Sequence, residues 1–302
     1  MRVKHSSNFS PLPRKDDFVN HLFSVTEDEL INIVDEISIP RHFRFNAENN
    51  KYVANWIFSQ LASFGYETHF QGSFSNIVAF KPNIKSSVIL IGAHYDSVPS
   101  CPGADDNASA IASMMVCAKA VSQFAPNIPV CFVAFNCEED GLVGSRDFVS
   151  SYLTERSLKI NLVHILEMVG YATEEPNSRT LPAGLPIKIP KVGNFLGIMG
   201  NRDSLGAVDN VLNLAKSYLP DFPVIGLKLY LGAEKLIPDL GRSDHLPFWE
   251  KRIPALMWTD TAEFRNPNYH KLSDTPNTLN YTFLKNVTQL LLLQILNASA
   301  HF

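Results

Sequence analysis

Short apolar runs alternate along this chain with longer stretches in which apolar residues recur at helical spacing, the pattern of strands and helices layered in an α/β fold. Ala47 to Phe64 places Tyr52, Trp56 and Leu61 at roughly helical spacing, and Gly65 follows as a C-terminal cap. Strand-like runs come next at Asn76 to Phe80 and Val88 to Gly92. Asp106 or Asn107 can cap a helix reaching about Ser122. Val130 to Phe135 reads as a buried strand, Gly141 to Tyr152 as a helix and Val163 to Met168 as a strand. From Glu174 to Lys191 four prolines mark a long loop, the kind of segment that borders a cleft. Beyond it the pattern predicts strands at Phe195 to Met199, Val224 to Tyr230 and Pro254 to Trp258. Helices are predicted near Val208 to Tyr218 and from Thr278 to Ala300, the last one amphipathic.

The fold class expected is therefore α/β: a three-layer sandwich with a mixed, mostly parallel central sheet and helices on both faces. Residues 1–40, with their own helical signal at Glu27 to Ile37, read as an N-terminal extension packed on a main domain of residues 41–302. A length of 302 residues with 45% hydrophobic content permits a large core.

Charge narrows the partners. A formal net charge of -4 leaves no basic surplus to neutralise a phosphate backbone, so nucleic acid is not expected. No apolar run is long enough to span a bilayer and no export signal is visible, so no membrane partner and a cytoplasmic location are expected. Cys101, Cys117, Cys131 and Cys137 show no CxxC spacing and sit in or near apolar sequence, which suits buried thiols rather than bridges.

Histidines and carboxylates stand where the predicted strands end, the place where sheets of this kind open into a ligand crevice. In Ile91-Gly-Ala-His94-Tyr-Asp96, residues two apart share a face of the strand, so Asp96 can hold the imidazole of His94 while His94 binds metal. A polar pair at a strand end is more often structural. In Gly103-Ala-Asp105-Asp106-Asn107, one carboxylate can span two cations, although an ordinary capped helix explains the same residues. Glu138 and Glu139 leave a buried strand before a glycine-marked turn, so one can ligate metal while the other faces a bound water. Glu167 lies inside an apolar run, where an unpartnered carboxylate is costly. Gly241-Arg-Ser243-Asp244-His245 and Pro267-Asn-Tyr-His270 complete the set, with Asp274 able to orient His270 and His245 suited to a supporting role.

The ordered set, from about Asn76 to Thr275, resembles the zinc exopeptidase family that contains bacterial leucyl aminopeptidase and aminopeptidase Y, with glutaminyl cyclases as relatives. The resemblance implies two divalent ions, zinc first. Asp105 corresponds to a bridging carboxylate, His94 and Glu167 to the remaining ligands of one ion, and Glu139 and His270 to those of the other. Glu138 corresponds to the general base, and Asp96, Asp244, His245 and Asp274 to the surrounding support. The implied reaction takes a water made acidic by the ions, passes its proton to Glu138 and then to the leaving amine, and cleaves the N-terminal bond of peptides that have a free N-terminus. The family commonly has Asp where this chain has Glu167. That keeps a single-zinc glutaminyl cyclase, held by Asp105, Glu139 and His270, as the alternative, with a metal-free non-catalytic homologue behind it. Met168, Tyr230, Phe248 and Trp258 are candidates for a side-chain pocket, with core packing the default, and Arg242 is a candidate for a substrate carboxylate.

Overall fold

Six consecutive apolar residues, Val130–Phe135, can be buried on both faces only inside a sheet covered on both sides, and the computed structural model of the chain places them there. The structure describes residues 1–81, 87–182 and 184–298. In chain order the strands are β1 (Arg2–His5), β2 (Glu67–Gln71), β3 (Asn76–Phe80), β4 (Val88–His94), β5 (Val130–Phe135), β6 (Ile160–Glu167), β7 (Leu196–Gly200), β8 (Val224–Lys228) and β9 (Ala255–Thr259). The helices are α1 (Asp16–Leu22), α2 (Glu27–Ile37), α3 (Ala47–Ser63), α4 (Ala110–Phe124), α5 (Val143–Asp147), α6 (Leu153–Arg156), α7 (Leu205–Tyr218), α8 (His245–Glu250) and α9 (Tyr281–Ala298).

The described strands form one sheet in the order β1-β8-β7-β9-β6-β4-β5-β3-β2. Parallel pairing is concentrated in the centre, where β9, β6, β4 and β5 all run the same way, while β7 meets β9 and β3 meets β5 antiparallel. Alternation along β5 divides the core in two. Val130, Phe132 and Ala134 join the larger cluster with residues of α2, α3, α4, α7 and α9, whereas Cys131, Val133 and Phe135 face Phe148, Tyr152 and Phe248. The sheet is thus sandwiched between helical layers, as expected. The four cysteines are buried and unpaired.

Three elements escape the hydrophobic pattern. β1 has no fully buried residue and extends the sheet by pairing with β8, so residues 1–40 contribute backbone to the sheet edge as well as the helix α2. β2 is an edge strand with one buried residue, and α1 buries Leu22 alone. α4 starts at Ala110, later than a cap at Asp106 or Asn107 requires, because residues 104–109 form a wider, kinked turn with non-helical backbone at both positions. The stretch 174–191 carries no helix or strand among its described residues. The predicted end of the last helix, at Ala300, lies outside the described residues.

Candidate metal centre

Because β4, β5 and β6 run parallel, their carboxyl ends meet at one edge of the sheet, and the polar residues that close each strand are delivered together. His94 is the last residue of β4 and pairs with Phe135, so Glu138 and Glu139, just past β5, arrive beside it. Glu167 ends β6. Two segments from elsewhere complete the cluster: the turn before α4 and the loop that carries His270.

His94 Nε2 lies 3.3 Å from Asp106 Oδ1 and 3.4 Å from Glu167 Oε2. On the other side, His270 Nε2 lies 3.1 Å from Asp106 Oδ2 and 3.3 Å from Glu139 Oε2. The two oxygens of one carboxylate therefore face two different imidazoles. Glu138 stands with His94 and Glu167, the ligand atoms of the three lying within 4.8 Å of one another.

The carboxylate between the histidines belongs to Asp106, and this corrects the expectation placed on Asp105. Asp105 is buried and turned away: its Oδ1 accepts from the Gly170 N–H and the Ser109 hydroxyl, and its Oδ2 accepts from Asn266 Nδ2. Adjacent side chains in this turn point to opposite sides, and the turn is set by Gly103, whose φ of +62° is left-handed and where a Cβ would stand 2.3 Å from the Asp106 carbonyl oxygen. The Asn107 side chain then docks on β6 like a strand residue, donating to the Leu166 carbonyl and accepting from the Met168 N–H.

Asp96 and Asp274 hold the two acidic turns in the same manner. Asp96 Oδ1 and Oδ2 accept the backbone N–H groups of Glu138 and Glu139, and Oδ1 also lies 3.4 Å from His94 Nδ1. Asp274 accepts the N–H groups of Asp105 and Asp106; it supports the turn and not, as expected, the imidazole of His270. Ser243 donates its hydroxyl to Glu167 Oε2 at 2.7 Å, which steadies the carboxylate despite its extra methylene. Asp244 is buried behind the cluster next to Ser145. His245 is not among the grouped side chains: its Nε2 bonds the Leu240 carbonyl at 2.9 Å, its ring lies edge-on to Trp249, and burial lowers it to about 4, so it is a neutral core histidine.

Support that the sequence did not advertise comes from Arg41, fully buried, which donates to the carbonyls of Tyr95, Pro102 and Gly103 and so ties the His94 loop to the Asp106 turn. Asn136 and Asn50 exchange a reciprocal pair of amide hydrogen bonds beneath Glu138. Gly144 is needed there too, since a Cβ would stand 2.0 Å from the Asn136 carbonyl oxygen. Such residues have no signature until the chain is folded.

The electrostatics are those of acids and imidazoles sharing a small, dry space. Burial alone would lower His94, but Glu167, Glu138, Asp106 and Asp96 reverse this and hold it well above its usual value. His270 is likewise carried past the effect of burial to about 10 by Asp106 and Glu139. Burial, then the Asp106 charge, pushes Glu139 up to about 7, and burial with Glu167 and Glu139 raises Glu138 well above the carboxylate range. Asp106 moves the other way: the two imidazoles outweigh its burial and keep it ionised.

Whether these residues suit metal is decided by their unmet valences. His94 Nε2, Asp106 Oδ1 and Glu139 Oε1 are buried and have no hydrogen-bond partner among the described residues. Buried polar atoms are rarely left this way. Imidazole nitrogens and carboxylate oxygens converging from both sides of one carboxylate form the donor set of zinc and related divalent ions, and the residues present fit a pair of them.

Next to Glu167 opens a cavity of about 140 Å³ whose apolar wall includes Leu185, Ile187, Ile198, Leu227 and Met257, with Arg179, Arg242 and Tyr269 also facing it. Met168, Phe248 and Trp258 are fully buried in the cores, and Tyr230 does not line this cavity either. Arg242 is already engaged, pairing with Asp239 and Glu263 and donating to the Tyr269 hydroxyl.

The sequence matches a described family. The model of peptidase family M28 matches residues 76–191 and 231–295, and the chain belongs to that family. It is 36% identical over 221 residues to YfbL, an uncharacterized protein of Escherichia coli, covering 70% of this chain and 67% of that protein. The structure resembles that of the LapA aminopeptidase of Legionella pneumophila, with a TM-score of 0.75 at 22% identity over 94% of this chain and 72% of that one. It also resembles BSAP, a zinc aminopeptidase from Bacillus subtilis, with a TM-score of 0.56 at 26% identity over 74% of this chain; the chain spans 50% of the length of BSAP. No helix among the described residues is long and apolar enough to cross a membrane.

Proposed function

We propose that this chain is a metal-dependent aminopeptidase that removes the N-terminal residue of peptides, using two divalent ions, zinc first among them. His94, Glu167 and Asp106 would hold one ion, and Glu139, His270 and Asp106 would hold the second. The observation that carries the reading is Asp106, whose two oxygens stand 3.3 and 3.1 Å from two imidazoles that each have a further carboxylate within 3.4 Å. Membership of a peptidase family supplies the reaction class.

When bound, such ions lower the pKa of a water and polarise the scissile carbonyl. Glu138 is the proton carrier. Its carboxyl sits at the cluster, buried, with a raised proton affinity, so it accepts a proton from the attacking water and delivers it to the departing amine. Asp96 fixes where Glu138 can reach, because it holds the backbone of that residue and its neighbour. The surrounding carboxylates attract the free α-ammonium of the substrate, which restricts cleavage to the first peptide bond.

A single-ion cyclase would need only Asp106, Glu139 and His270. The opposite half is equally built, with Ser243 on Glu167 and Asp96 beside His94, and this favours two ions. Assays on one preparation separate the classes. Amino-acyl p-nitroanilides and unblocked dipeptides are cleaved, N-acetylated dipeptides are not, and N-terminal glutaminyl peptides are not cyclised. Pyroglutamate formation without release of free amino acids overturns the proposal.

A further inference from the structure

Five charged side chains face the cavity beside Glu167: Glu167 itself, Arg179, Asp239, Arg242 and Glu263. Four have partners of opposite charge or a hydrogen bond that suits them. Glu167 is held by Ser243 and faces His94, and Arg242 pairs with Asp239 and Glu263. Arg179 is the exception. It is 8% exposed, yet no carboxylate lies within ion-pair distance of it among the described residues.

Its Nε donates to Thr261 Oγ1 at 3.1 Å and its guanidinium lies 5.2 Å from the ring centre of Phe195, both residues of the cavity wall. No other hydrogen bond uses its terminal nitrogens among the described residues. Asp260, an acid close enough to influence it, uses its two oxygens on the N–H groups of Tyr171 and Ala262, and a second guanidinium, Arg265, stands on the same Phe195 ring. A guanidinium stays charged at neutral pH, and the terminal nitrogens of this one open into the cavity with no counter-charge paired to them, which leaves its fork free for an anion.

We infer that Arg179 makes this cavity a receptor for a carboxylate carried on an apolar stem, which enters past Glu167 and meets the planar fork of the guanidinium in two parallel hydrogen bonds. Resting on the aminopeptidase reading, this specifies the substrate. It is a peptide that presents either the side-chain carboxylate of an N-terminal glutamate or the C-terminal carboxylate of a short apolar peptide. No covalent step is added, and Arg179 acts on affinity.

Calorimetric titration of the zinc-loaded protein with 4-methylpentanoate and with its neutral amide tests binding without requiring turnover. The acid binds at least about tenfold more tightly than the amide, the equivalent of one charge-assisted pair. Arg179→Met loses that margin, and Arg179→Lys, which keeps the charge but not the fork, retains part of it. Equal binding of acid and amide to the wild type, or an undiminished margin in Arg179→Met, overturns the inference. The source of the carboxylate follows from kcat/KM. A Glu over Gln p-nitroanilide preference lost in Arg179→Met identifies the side chain, and a Leu-Leu over Leu-Leu-amide preference lost there identifies the C-terminus. If neither preference exists in an active wild type, the substrate assignment is wrong. If no peptide is cleaved while the acid still binds through Arg179, the aminopeptidase reading fails and the carboxylate site stands.

Discussion

Asp274 accepts the backbone N–H of Asp106 at 3.1 Å, so the loop that presents His270 also fixes the turn that presents the carboxylate between the two histidines. Asp274 makes no hydrogen bond to a proposed ligand atom among the described residues, and its hydrogen bonds reach the site through the backbone of Asp105 and Asp106. In Asp274→Asn one amide oxygen replaces two carboxylate oxygens, leaving one of the two N–H groups without its acceptor. Zinc affinity falls about 10- to 100-fold, the usual size of an effect one layer out from a ligand. Competition with a chromophoric chelator measures it, and an unchanged affinity would show that the turn holds without Asp274.

Asp105 and Asp106 are neighbours with opposite fates, and they can be told apart by one substitution each. Asp106→Asn removes the charge shared by both halves of the site and drops bound zinc below one equivalent after dialysis. Asp105→Asn keeps near two equivalents but costs about 1–3 kcal/mol of stability, because the Gly170 N–H and Asn266 amide it serves are buried. Metal analysis with denaturant melts of both variants checks this; the reverse pattern restores Asp105 as the central ligand.

Glu138→Gln keeps the shape and removes the proton carrier. Metal content stays as in the wild type, and kcat falls by about 10²- to 10⁴-fold while KM changes little. Turnover near wild type would assign the proton transfer to another group.

Removing the metal changes the pH dependence of stability, with a sign fixed by the shifts at the site. Burial raises Glu139, Asp244 and Asp274 to about 7, so in the folded protein these acids keep protons that the unfolded chain has released above pH about 4. His270, raised to about 10, likewise holds in the fold a proton that the unfolded chain loses above pH about 6.5. Both make the folded state the greater proton binder, so stability declines as pH climbs from about 5 through about 10. Asp106, depressed, works oppositely but only at acid pH below the usual aspartate range, and the buried His245 and His164, lowered to about 4 and about 3, work oppositely up to about pH 6.5, where the more numerous raised groups outweigh them. The chelated protein therefore melts at a higher temperature at pH 6 than at pH 8, and zinc at pH 8 recovers more stability than zinc at pH 6. A melting temperature of the chelated protein that rises from pH 6 to pH 8 contradicts this.

Much of this was readable before folding. The central strands are long apolar runs that only a covered sheet can bury, and three of the five proposed ligands, His94, Glu139 and Glu167, together with Glu138, stand at or just beyond strand ends where the sequence pattern put them. The choice between Asp105 and Asp106 was not readable. It depends on which way a glycine-initiated turn rotates, and two adjacent aspartates look alike to any periodicity. Asp274 supports the site as expected but through the Asp106 turn and not His270, and His245 lies in the core, for a related reason: nearness in sequence to a ligand says nothing of which backbone groups a side chain meets. Arg179 and Arg41 carried no signal, since one sits in a proline-rich loop and the other near the end of the N-terminal segment.

The most direct test is the anomalous difference map of a zinc-loaded crystal recorded at the zinc edge. Two peaks on either side of the Asp106 carboxylate, one beside His94 and Glu167 and the other beside His270 and Glu139, are the result expected. A single peak, or peaks that leave Asp106 outside the coordination of both ions, contradicts the account.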